Sequence, residues 1–151
     1  MRVGASQEAL LNQIIDFGIE LAAPEETMTI VAVTALQESA FGVRKASPES
    51  NAFGVFRFTD PTWSDHYRYL DRESASDQIA AMYDRVDYFR DRYARVLAEG
   101  NICGSMTFPE YAYVIHKQGQ SRPQTFETND ETEDALILFR DKWRILSLRV
   151  E

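Results

Sequence analysis

Glu25-Glu-Thr-Met-Thr-Ile-Val-Ala-Val-Thr-Ala-Leu-Gln-Glu-Ser39 is the stretch whose reading decides the fold. Its middle, residues 27–34, is rich in β-branched side chains, which favour a strand. The wider pattern favours a helix. Two glutamates open the stretch, where the positive end of a helix dipole favours acids. Met28, Val31, Ala32, Ala35 and Leu36 then recur at i, i+3, i+4 spacing. We read residues 25–39 as a helix, which makes the chain mainly α. At about 100° per residue, Glu38 falls roughly 20° from Val31, and one turn beyond Thr34. That places a lone carboxylate on the flank of the apolar stripe, at the end of the helix.

The flanking sequence extends the helical pattern. Leu10, Ile14, Phe17 and Leu21 predict a helix over residues 7–22, with Ser6 as its N-cap and Pro24 beyond its end. Gly42, Pro48, Asn51 and Gly54 break periodicity over residues 40–58, which read as loop. Residues 55–58 are a candidate short strand of at most a small β-hairpin. Asp60-Pro61 reads as a cap followed by proline at the first helical position, opening a helix over 61–70. Ser76 is placed to cap a longer helix over 77–98, closed by Gly100. Thr107-Phe-Pro-Glu110 has capping-box form and opens a helix running to Lys117. A last helix is expected over 132–146. The sum is six or so helices in a single domain spanning 1–151, with 121–151 as a C-terminal extension.

Composition narrows the function classes. At 151 residues the chain can bury a real core. The net charge is −8 and no Lys/Arg cluster stands out, which argues against nucleic acid and anionic membrane surfaces. No run is long enough to span a bilayer, and the first residues carry no apolar segment of the secretory kind. One cysteine, Cys103, allows no intrachain disulfide and has no paired base near it in sequence. Two histidines and that cysteine, widely spaced, make no ligand cluster, so neither a metal nor another cofactor is expected.

The chemistry sits around Glu38. A compact aromatic block with a glycine near its start follows it, Phe53-Gly-Val-Phe-Arg-Phe-Thr-Asp-Pro-Thr-Trp63. An acid at a buried edge, followed by such a block, suits a cleft for a sugar polymer. Cleaving a glycosidic bond requires protonating its leaving oxygen, and apolar surroundings keep a carboxyl group protonated nearer neutral pH. A glutamate at a helix C-terminus also opposes the dipole, a mild cost that asks for a reason. The plain alternative is an ordinary glutamate in the last turn of a helix.

Three elements in order sharpen this picture: Glu38-Ser-Ala-Phe41, Asn51-Ala-Phe-Gly-Val-Phe-Arg-Phe-Thr-Asp-Pro-Thr-Trp63, and Tyr113-Val-Ile-His-Lys-Gln-Gly119. Together they resemble the lysozyme-like lytic transglycosylase superfamily, in its SLT-type and phage-like forms. Its members carry a Glu-Ser pair at a helix end. A Gly-Leu-(Met/Phe)-Gln segment follows, and later an Ala-Tyr-Asn-x-Gly or Ala-His-x-x-Gly element. The resemblance covers residues 27–119. It implies a lysozyme-like (α+β lysozyme superfamily) fold and cleavage of the β-1,4 bond between N-acetylmuramic acid and N-acetylglucosamine. It implies that Glu38 is the catalytic acid/base and that Ser39 orients it or touches the sugar. Gly54, Val55, Phe56 and Phe58 would form a cleft wall, and His116 would face the glutamate. Arg57 stands where the family usually has Gln. It donates but cannot accept, so it either holds a peptide-stem carboxylate or pairs with Glu38.

The implied partner is the peptidoglycan glycan strand. The site of action would be the periplasm or cell wall, reached through a phage particle or a secretion system, and a phage-particle, secretion-system or inhibitor protein is the candidate protein partner. Two other readings stay open. A hydrolytic muramidase needs a second carboxylate, at about 6.5–9.5 Å for inversion or about 5–5.5 Å for retention, with Glu49, Asp60, Asp65 and Asp77 as candidates. A catalytically weak glycan-binding or scaffold relative would account for Arg57.

Overall fold

A computed structural model describes residues 4–42, 54–100, 106–118 and 130–150. The order of elements is α1 (Ala5–Glu20), α2 (Glu25–Ser39), α3 (Asp60–His66), α4 (Ala75–Ala98), α5 (Phe108–Gln118) and α6 (Asp130–Val150). The protein is mainly α, and no strand occurs among the described residues.

Helix α2 is the centre. Every side chain from Thr27 to Leu36 is buried. It packs against α1, α4, α5 and, most extensively, α6. The one-sided apolar stripe expected from the sequence is therefore too narrow: a helix enclosed by four others is apolar all round. This explains the β-branched run. Ile30, Val31 and Val33 are wholly buried, each contributing roughly 1.5–3 kcal/mol by burial, which outweighs their modest helix propensity. The threonines remain compatible because they bond back to the preceding turn. Thr29 Oγ1 donates to Glu25 O at 2.8 Å and Thr34 Oγ1 to Ile30 O at 2.7 Å.

The helix ends differ from the expected ones by small, physical shifts. Helix α1 starts at Ala5 because Gln7 reaches back, its Oε1 accepting from Gly4 N at 2.7 Å. Ser74, not Ser76, caps α4, accepting from Asp77 N at 3.2 Å. Thr59, not Asp60, is the N-cap of α3, with Pro61 in its first turn. That helix stops at His66, and residues 67–69 form a turn. The Thr107–Glu110 box forms as written: Thr107 N donates to Glu110 Oε1 at 3.3 Å and Glu110 N to Thr107 Oγ1 at 3.4 Å. Helix α6 starts two residues before the expected helix and ends four beyond it, and its buried Leu136, Phe139 and Leu146 join the common core.

Candidate active site

The last turn of α2 sets the site. Glu38 is half-buried there and Ser39 wholly buried. The chain leaves the helix through three successive left-handed residues, Ala40 (φ 51°), Phe41 (φ 55°) and Gly42 (φ 90°). Ala40 N donates to Leu36 O at 2.9 Å and Phe41 N to Ala35 O at 3.2 Å, which closes the helix end. The left-handed region costs a residue with a Cβ roughly 1–2 kcal/mol. Two such residues in a row store strain immediately after Glu38, a placement typical of functional sites.

Residues 54–57 form a turn rather than a strand. Gly54 (φ 93°) and Arg57 (φ 51°) are left-handed, and Arg57 N donates to Gly54 O at 3.2 Å. The backbone of this turn takes partners from side chains. Ser39 Oγ donates to Val55 O at 2.6 Å. The ring Nε2 of His116, on α5, lies 2.5 Å from Phe56 O. Gln78, on α4, accepts from Phe56 N through Oε1 at 3.3 Å and donates from Nε2 to Arg72 O at 2.7 Å. Arg72 in turn holds both Phe58 O and the Asp60 carboxylate. Three side chains from three helices thus pin one short turn beside the end of α2, and Arg72 holds the residue that follows it.

Phe58 is the apolar counterpart of this clamp. Its ring meets Phe56, Trp63, Tyr67 and His116 edge-on, at centroid distances of 6.3, 5.3, 5.7 and 5.0 Å. Beneath it Tyr67 donates to Asp84 Oδ2 at 2.8 Å. The Arg85 guanidinium is buried over the rings of Tyr88 and Phe89, and desolvation lowers its pKa.

These positions sort the residues singled out from the sequence. The structure brings Ser39, Val55, Phe56 and His116 into direct contact, with Phe58 behind them. Ser39, Phe56, Phe58 and His116 have their side chains inside the protein. Gly54 and Val55 are buried too, but they line a small cavity of about 170 Å³ beside Ser74 and Gln78. Glu38 and Arg57 are the half-exposed members. Of the candidate second carboxylates, Asp60 is held by Arg72, and Asp77 accepts from Asp71 N at 2.8 Å in the first turn of α4. Asp65 is exposed on α3, and Glu49 lies outside the described residues, as do Asn51, Phe53 and Gly119 of the three motifs.

Gln78 and Arg85 carry much of this architecture and were not singled out from the sequence. Both occupy the buried face of α4 with Met82 and Phe89. A polar residue at an apolar position of an amphipathic helix is the signal that would have found them.

No family model, curated protein or solved structure matches the chain.

Two consequences of the clamp are measurable. Ser39 Oγ also accepts from Gly42 N at 2.9 Å, so Ser39→Ala strands a buried carbonyl and an amide together. The expected loss is roughly 1–3 kcal/mol, seen as a lower urea midpoint with an unchanged slope. An unchanged midpoint means the latch contributes nothing to stability.

His116 gives a pH dependence. Burial lowers its pKa from 6.5 to about 4, against the opposing pull of its bond to Phe56 O, and Arg85 and Lys117 lower it further. The ring is neutral at pH 7, so Nε2–H donates to the carbonyl. Between about pH 4 and 6.5 the unfolded chain binds a proton that the folded one refuses. Stability is therefore complete above pH 6.5 and falls as the pH drops toward 4, by up to roughly 3 kcal/mol. Denaturant titrations between pH 5 and 7, where most carboxylates stay ionised, should show this slope. His116→Gln keeps a donor but not the titration, and should flatten it.

Proposed function

We propose that this protein is a lytic transglycosylase of lysozyme-like fold, cleaving the β-1,4 bond between N-acetylmuramic acid and N-acetylglucosamine, with Glu38 as its acid/base. One observation carries the reading. The three sequence elements that suggest this chemistry are far apart in the chain, yet they meet: Ser39 bonds Val55 and His116 bonds Phe56. Glu38, directly before Ser39, is half-buried in the last turn of α2.

In this mechanism the Glu38 carboxyl protonates the glycosidic oxygen as the bond to the anomeric carbon breaks. The carboxylate then takes the proton of the muramic C6 hydroxyl, whose oxygen closes on the anomeric carbon. The product is a 1,6-anhydro sugar, Glu38 regains its proton, and no water is consumed. The engagement of Asp60 and Asp77 in helix and loop contacts favours this route over a two-carboxylate hydrolysis. Mass spectrometry of purified peptidoglycan digested by the protein should show anhydromuropeptides. Reducing-end muropeptides alone would make the enzyme a hydrolase.

A further inference from the structure

Far from Glu38, the opposite end of α2 opens onto a second cavity. It has a volume of about 310 Å³ and lies between the starts of α2 and α5 and the middle of α6. It falls at the lower end of the ~300–1,000 Å³ range of small-molecule sites. Glu26, on its edge, and Glu38 are about 18 Å apart along the helix at 1.5 Å per residue, so this cavity is separate from the candidate active site.

Its lining has two characters. Pro109, Phe139 and Trp143 supply apolar and aromatic surface, and Glu26, Glu110 and Arg140 supply planar polar groups. The charges cancel locally. Arg140 holds Glu110 Oε2 through Nε and Nη2, both at 2.6 Å. Arg90 meets Glu26 at 3.3 Å and lies over Phe108. Glu110 is also anchored by the Thr107 hydroxyl at 2.8 Å. A charged ligand finds no unbalanced charge to select it. A purely apolar ligand would desolvate a carboxylate and a guanidinium without replacing their bonds. A pyranose meets both demands. Its C–H face packs on an aromatic ring, and its hydroxyls both donate to carboxylate oxygens and accept from guanidinium N–H groups.

We propose that this cavity is a binding site for a neutral saccharide, with a sugar ring against Trp143 and hydroxyls on Glu110 and Arg140. The proposal does not depend on the role of Glu38. Its test uses the Glu38→Gln protein, so that no probe is cleaved, titrated calorimetrically with chitotetraose, cellotetraose and maltotetraose. At least one should bind saturably and change the tryptophan fluorescence, since Trp143 is the half-exposed indole and Trp63 is buried. Arg140 is more than half exposed, so Arg140→Ala should fold normally and weaken binding by about tenfold, the size of one lost contact. Trp143→Phe should keep binding and abolish the fluorescence change. Absence of binding by all three probes overturns the proposal. So does binding whose affinity is the same in Arg140→Ala and whose fluorescence change survives in Trp143→Phe.

Discussion

The Glu38→Gln variant is expected to keep its fold and to lose lysis of purified peptidoglycan by roughly 10²–10⁴-fold, the range that a positioned general acid/base contributes. Gln matches Glu in shape but has no proton to give to the leaving oxygen and no basic oxygen to take one from the C6 hydroxyl. Both halves of the proposed reaction therefore fail together. The loss should appear in kcat with KM little changed, because the missing interaction belongs to the transition state. The fold should survive because Glu38 is only half-buried, in the last turn of α2. Turbidity loss of a cell-wall suspension is the direct measurement. Equal rates for both proteins exclude Glu38 from the chemistry. Wall binding by both, with lysis by neither, identifies a glycan-binding relative instead.

Gly54→Val is expected to have the largest effect on stability. Gly54 has a φ of +93°, a region that side chains with a Cβ avoid. A Cβ there would lie 1.8 Å from Gln78 Nε2 and 2.4 Å from its Cδ. Gln78 cannot simply swing away, because its two ends hold Phe56 N and Arg72 O. Backbone strain and overpacking together should cost roughly 2–4 kcal/mol, which lowers Tm by roughly 5–15 °C for a chain of this size. Pairing the change with Gln78→Ala tests the cause. The double variant should lose less than the two single losses added together, because the clash has been removed. Strict additivity would mean that Gln78 is not the obstacle.

The helical character of the chain was legible from spacing alone, since apolar residues recur at helical intervals in every long segment. What local pattern could not show was the role of α2. Its β-branched run looks half like a strand because burial on all sides removes the polar face that usually marks a helix. The turn at Gly54–Phe58 misled in a similar way. Val55 and Phe56 suit a strand, but their backbone partners come from Ser39, His116 and Gln78, which sequence spacing cannot bring together. His116 shows the limit most clearly. Its place in a motif implies a residue facing Glu38, and spacing alone gives no sign of the contacts it makes, with the Phe56 carbonyl and the ring of Phe58. Helix caps were misplaced by one or two residues wherever two competing cap formers were close in sequence, as at Ser74 and Ser76.

The enclosure of α2 also orders events during synthesis. Its heaviest cover is α6, and the contact between Gln37 and Ala135 joins residues 98 positions apart. Until α6 has left the ribosome, the nascent chain carries a helix with apolar side chains on every side and one wall missing. Closing that gap requires a long loop to be paid for in entropy before any contact rewards it. Partly made chains of this protein should therefore be sticky. The cover of α2 becomes complete only when α6 folds back over the first part of the chain.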